Sequence, residues 1–153
     1  MYSCYDIAKK FLSFAEEEGS PMTPMKLLKL TYIAHGYYLA FYGEPLFKEE
    51  IQAWKYGPVI PRLYFTIKIF GQDSVSFSAL DSLSNSEIKK KDEKFLRSVY
   101  NAYKRFTGLE LSSKTHTEDT PWAQTYNGYH YQQIDNNLIK DYYKKKVNQV
   151  SNG

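Results

Sequence analysis

The sequence predicts a mainly α-helical, single compact multi-helix domain around a buried central helix at about residues 24–42. Three observations predict it. From Leu30 to Tyr42 the text LTYIAHGYYLAFY carries no formal charge on any face, and a helix apolar all round is normally surrounded by protein. Helix-start signals recur: Ser3 with Asp6, Thr23 with Pro24, Thr107 with Glu110 and Thr120 with Pro121. Each pairs an N-cap hydroxyl with an acid three residues on, or with proline at the first helical position. Lastly, Phe95, Leu96, Val99, Ala102, Tyr103 and Phe106 form one apolar stripe at helical spacing.

Taken in order, the first helix follows Ser3, carries Ile7, Ala8, Phe11, Leu12 and Ala15 on one face, and stops at Gly19. The second opens at Thr23-Pro24 and ends at Gly43. Gly36 in its middle costs about 1 kcal/mol relative to alanine, so another element is expected to pack closely there. Leu46 to Trp54 reads as a short extended segment. In Lys55 to Pro61 one glycine and two prolines are expected to break regular structure. Pro61 then opens a helix that Gly71 ends, and residues 72–86, rich in serine and aspartate, read as a loop with room for one short strand. The amphipathic helix spans Asp92 to Phe106, a short one reaches about Lys114, another covers Trp122 to Tyr126, and Asp135 caps Leu138 to Val147. A single domain is expected over 1–148, with 149–153 as a frayed tail.

At 153 residues the chain has the length of one ordinary domain. Its 15 tyrosines lift the aromatic share to 17%, and tyrosine suits half-wet surfaces and interfaces. A net charge of +3 is too small to argue for nucleic acid. Lys89-Lys90-Lys91 and Lys144-Lys145-Lys146 read as solvated helix ends, favoured where the end is C-terminal. Cys4 is the lone cysteine, so no internal disulfide and no cysteine-based zinc site is expected. The beginning, MYSCYDIAKKF, lacks the apolar core of a secretory signal. No uncharged run approaches the roughly 20 residues that span a bilayer. A cytoplasmic location without membrane partners follows as the expectation.

Candidate chemistry is sparse. His35, His116 and His130 show no i, i+4 pair, and metal binding is not expected. No Gly-x-Ser-x-Gly elbow and no glycine-rich phosphate loop occurs, so no cofactor and no enzyme is assembled from these residues. The segment Thr115-His116-Thr117-Glu118-Asp119-Thr120-Pro121-Trp122 concentrates polar groups before a tryptophan. Two readings stand: a helix entry in which His116 fixes the loop, or a recognition loop in which Trp122 anchors and His116, Glu118 and Asp119 bond outward. A small hydrolase using His116 with Glu118 or Asp119 is the catalytic alternative.

Three blocks together resemble a known family. They are Leu27 to Gly36 with Gly43-Glu44-Pro45-Leu46-Phe47, then Ala53-Trp54-Lys55-Tyr56-Gly57-Pro58-Val59-Ile60-Pro61, then Thr115-His116 through Pro121-Trp122. In this order and spacing the chain resembles the Panacea domain family of SocA-like antitoxins and phage-associated GepA-like proteins. The resemblance implies a mostly helical domain with at most a small two-stranded sheet. It also implies an antitoxin that neutralises a protein toxin by direct binding, or an adaptor that delivers a client to a protease. It carries no catalytic residues.

The matched residues His35, Gly36, Gly57, Pro58 and Pro121 are expected to serve the fold. Trp54, Tyr56, Arg62, His116, Glu118, Asp119 and Trp122 are the candidates for meeting the partner, with the tryptophans as anchors and Arg62, Glu118 and Asp119 at a polar rim. A homodimer through the aromatic surface is compatible with the same composition.

Overall fold

The structure is a computed structural model that describes residues 1–129 and 131–152, with the side chains of 150–152 left aside. It is mainly α-helical. Helix α1 is Cys4–Glu18, α2 Pro24–Tyr42, α3 Pro61–Ile67, α4 Lys90–Tyr103, α5 Gly108–Thr115, α6 Pro121–Thr125 and α7 Asn136–Asn152. Strands β1 (Gln52–Trp54), β2 (Gly57–Val59) and β3 (Gln132–Gln133) form one small sheet in the order β2-β1-β3.

The caps read from the sequence are made in full. Ser3 accepts from the Asp6 amide while the Asp6 carboxylate accepts from the Ser3 amide, and Thr107 and Glu110 repeat that exchange. Thr23 and Thr120 each accept an amide proton from the first turn that follows. These local bonds satisfy helix donors that would otherwise be orphaned, which is why α1, α2, α5 and α6 start where expected.

Helix α2 is the spine. Almost all of it from Leu27 to Leu39 is buried, and it packs most extensively on α7 and α5, then on α1 and α4. The close approach expected at Gly36 is made by the ring of Tyr143 on α7. His35 is buried with it. Its Nε2 lies 3.0 Å from Asn136 Oδ1, and its ring packs 4.2 Å from that of Phe47.

Several expectations need correction. Residues 55–61 do not break regular structure: Lys55 and Tyr56 make the turn of a hairpin, and Gly57 to Val59 form β2. Gly57 sits at φ +119°, a value that glycine adopts without strain. Pro58 is tolerated because β2 is the sheet edge, where a missing N–H breaks no ladder bond. The sheet has three strands rather than two, because β3 pairs with the other side of β1. Residues 72–86 hold turns without a strand. They are tied down by Asp6, whose carboxylate accepts from Ser84 Oγ, Asn85 N and Ser86 N.

On α4 the buried side chains are Asp92, Leu96, Val99 and Tyr100, whereas Ala102 is exposed. The stripe therefore turns toward Tyr100, which packs on Phe11 and Phe14 of α1. Lys89 to Lys91 stand at the N-terminal end of α4, the end that disfavours cations, with Asp92 and Glu93 beside them in the first turn. Helix α7 runs on to Asn152, past the expected Val147. His130 and Gly153 lie outside the described residues.

Candidate partner-binding site

The hairpin turn, the start of α3 and the THTEDTPW segment come together around Trp54. Its half-buried ring meets Tyr64 at 5.1 Å, Phe65 at 6.0 Å and Tyr131 at 6.1 Å between centroids. Its indole N–H donates to Gln52 Oε1 at 2.9 Å. The pairs with Tyr64 and Tyr131 are edge-to-face, and such pairs contribute about 0.5–1.5 kcal/mol each beyond area burial. Tyr131 is the one non-glycine residue at positive φ among the described residues, an uncommon conformation for a bulky side chain.

Behind the turn, Trp122 and His116 act as struts. The Trp122 indole N–H donates to the carbonyl of Trp54. His116 Nδ1 bonds the Ser112 carbonyl one turn back, and its ring stands edge-on to Trp122 at 5.3 Å. Trp122 also stacks on Tyr126 at 4.8 Å. Ser112 Oγ donates to the carbonyl of Tyr56 at 2.8 Å. Two carbonyls of the hairpin turn are thus held by α5 and α6, so the segment is a helix entry that also braces the strand turn.

The expected contact residues separate into groups. Tyr56 projects from the turn and is 65% exposed. Arg62 is exposed on α3 and lines a different cleft with Glu49, Glu50 and Phe65. Glu118 and Asp119 are exposed, and Asp119 accepts from Thr117 Oγ1 at 3.2 Å. His116 and Trp122 are half-buried. His35, Gly36, Gly57, Pro58 and Pro121 are all buried. Among the described residues no group of three or more His, Cys, Asp or Glu side chains is placed to hold a metal, and no helix is long and apolar enough to cross a membrane.

This same stretch, from α2 through the hairpin to α6, is what comparison with known proteins picks out. The family model described as Antitoxin SocA-like, Panacea domain, matches residues 27–123, well over half of the chain.

The chain belongs to the SocA-like Panacea domain family.

Antitoxin SocA of Caulobacter vibrioides (strain NA1000 / CB15N) is 29% identical over 130 residues, which is 80% of this chain and 69% of that protein. No solved structure matches the chain.

In this Panacea domain the structure adds residues that sequence reasoning passed over. Phe65 is 55% and Ile69 83% exposed on the α3 segment, and Tyr131 is 70% exposed beside Trp54. Phe65 and Tyr131 extend the apolar surface around Trp54. Lys29 is the other omission. It lies inside the fold, and its ammonium donates to the Pro58 carbonyl at 2.8 Å. The signal was present in the text, since Lys29 shares a helix face with Ile33 and Gly36 at i+4 and i+7.

Proposed function

We propose that this chain is an antitoxin that neutralises a protein toxin by direct binding, through the face formed by the hairpin turn and α3. One observation carries the reading. Exposed Phe65 and Tyr131 pack against Trp54, next to the exposed Tyr56 of the hairpin turn, on backbone braced from behind. Exposed apolar patches on a rigid base mark interaction sites, and aromatic anchors dominate the energy of protein interfaces. The likeness to a protein named Antitoxin SocA supports the same role.

The test is to co-express the chain with each gene adjacent to its own, scoring growth and the neighbour's protein level. A neighbour that is toxic alone and harmless with this chain supports the reading. If no neighbour is toxic, the family membership describes the fold without the role.

A second reading, delivery of the client to a protease, rests on a second groove. Phe41, Phe95, Val99, Tyr103 and Phe106 line a cavity of about 440 Å³ that shares no residue with the cavity beside Tyr56. An adaptor needs two such surfaces to raise the local concentration of client at protease. A client whose half-life shortens in the presence of this chain selects delivery; a stable, silent client selects masking.

A further inference from the structure

Lys29 presents a physical anomaly. It is 2% exposed, and Pro58 O is its one hydrogen-bond acceptor among the described residues. Buried ammonium groups ordinarily sit beside an anion, because taking an unpaired charge out of water costs several kcal/mol or more. Here burial alone pulls the pKa of Lys29 down to about 7, and no acid among the described residues raises it.

The surroundings sharpen the point. Lys29 lines a cavity of about 470 Å³, within the size range of small-ligand sites, whose walls are mostly apolar: Leu28, Trp54, Val59, Tyr64 and Ile67. The other titratable or charged groups lining it are Lys55 and Tyr56 from the hairpin turn and Tyr64 and Lys68 from the α3 segment. The His116 ring lies across Gly57. None of these is a carboxylate. Gly57 also leaves the ammonium its space, since a Cβ there would come within 3.1 Å of Lys29 Nζ. Lys55 and Lys68 at the rim add a favourable field for an incoming anion. One buried cation, with no arginine among the lining residues, matches a singly charged head better than a phosphate.

We propose that this cavity is a binding site for a carboxylate carried on an apolar stem, with Lys29 as the counter-ion and Leu28, Val59, Tyr64 and Ile67 around the stem. The carboxylate can come from a free organic acid or from a carboxyl group of a partner protein. The proposal does not depend on the toxin reading, because the cavity and its unpaired cation define it.

The experiment is titration calorimetry at about pH 7 with phenylbutyrate and with its neutral amide, phenylbutyramide, followed by amide-shift mapping. The acid should bind saturably, roughly tenfold or more tighter than the amide, a ratio that one ion pair readily supplies. Its shifts should centre on Gly57 and the Trp54 indole. Repeating the titration in buffers of different ionisation heat should show uptake of about half a proton per acid bound, as expected for an amine with a pKa of about 7.

Lys29→Met should remove the preference for acid over amide. If that variant does not fold, Met25→Trp at the cavity wall keeps Lys29 and should block the acid by occupying the space. Acid and amide binding alike, neither binding, shifts centred elsewhere, or a preference that survives either substitution would overturn the proposal. A second pair of probes, acetyl-Ala-Ala-Phe with a free or an amidated C-terminus, separates the sources. Tighter binding of the free-acid peptide than of phenylbutyrate assigns the site to a partner's carboxyl group, and the reverse order assigns it to a free acid.

Discussion

The ring of Tyr143 occupies the space that any side chain at position 36 would need. A Cβ built on Gly36 overlaps its Cδ2 and Cε2 atoms. Tyr143 is itself wedged against Tyr37 at 4.8 Å, Tyr142 at 5.0 Å and Tyr32 at 6.3 Å. Helices α2 and α7 meet at this contact, so Gly36→Ala should lower stability by about 2–4 kcal/mol, even though alanine gains about 1 kcal/mol in helix propensity. Urea unfolding midpoints measure it. A midpoint equal to or above that of the parent would show that α7 can step aside freely.

Bracing of the hairpin can be separated from its contact role. Trp122→Phe keeps an aromatic ring but deletes the N–H bond to the Trp54 carbonyl, at a cost of about 1–3 kcal/mol for the buried acceptor left behind. Hydrogen exchange at Trp54 to Gly57 should speed up more than exchange in α1. Equal acceleration across the chain would mean that Trp122 serves the core in general.

Partner contact should reside in the exposed apolar side chains. Phe65→Ser with Ile69→Ser should weaken binding of a cognate toxin by at least about 2 kcal/mol while leaving the melting temperature within a few degrees. Glu118→Gln with Asp119→Asn, exposed in the neighbouring turn, should change binding by less than about 1 kcal/mol. The reverse ranking would move the interface to the THTEDTPW turn.

Lys29 gives stability a signature above neutrality. Its folded pKa of about 7 lies below its ordinary 10.5, so between these values the unfolded chain binds more protons. Stability therefore rises with pH across that window, by an amount on the order of 3–5 kcal/mol, and is flat below it for this group. Above pH 10 buried Tyr38 and half-buried Tyr142 act the other way, since burial pushes both up to about 12. Denaturant titrations from pH 7 to 9.5 should show the rise in the parent chain and a flat profile in Lys29→Met. A flat parent profile would contradict the buried, unpaired ammonium.

His35 acts below neutrality. Burial lowers its pKa to about 4 against the hydrogen bond to Asn136, which favours the charged form. With Asn136 Oδ1 as acceptor the proton sits on Nε2, and Nδ1 has no partner among the described residues. The unfolded chain takes up the proton first, so stability is lost as pH falls from about 6.5 to 4, on the order of 2–3 kcal/mol in all. The carboxylate of Asp6 adds its own loss only below its ordinary 3.8. Burial alone would raise its pKa, but bonds from Ser3, Ser84, Ser86 and Asn85 outweigh that and lower it. His35→Gln should flatten the profile between pH 6.5 and 4.5 whatever its absolute stability. An unchanged slope would assign the acid loss to other groups.

Much of this fold was legible in short windows of sequence. The capping boxes at Ser3 and Thr107 and the Thr-Pro entries at Thr23 and Thr120 placed their helices because both partners of each bond lie within a few residues. Gly36 announced a close neighbour by its cost alone. The hairpin was less legible, since Gly57 and Pro58 weigh against a strand by propensity. Pairing with Ala53 and Trp54 outweighs that preference only at a sheet edge. The candidate site was legible as a set of blocks. Its division into bracing residues, such as Trp122, and outward ones, such as Tyr56, was not.

The capped helix starts, the buried spine and the neutral, charge-free run at its centre were determined by the sequence itself, because capping, proline placement and hydrophobic period act between near neighbours. Tertiary structure decided the rest. It brought β3 onto β1 across some eighty residues, turned Trp54 toward Phe65 and Tyr131, and closed the interior over Lys29 with no acid beside it among the described residues. Those outcomes depend on which distant surfaces exclude water together, and no local window carries that information.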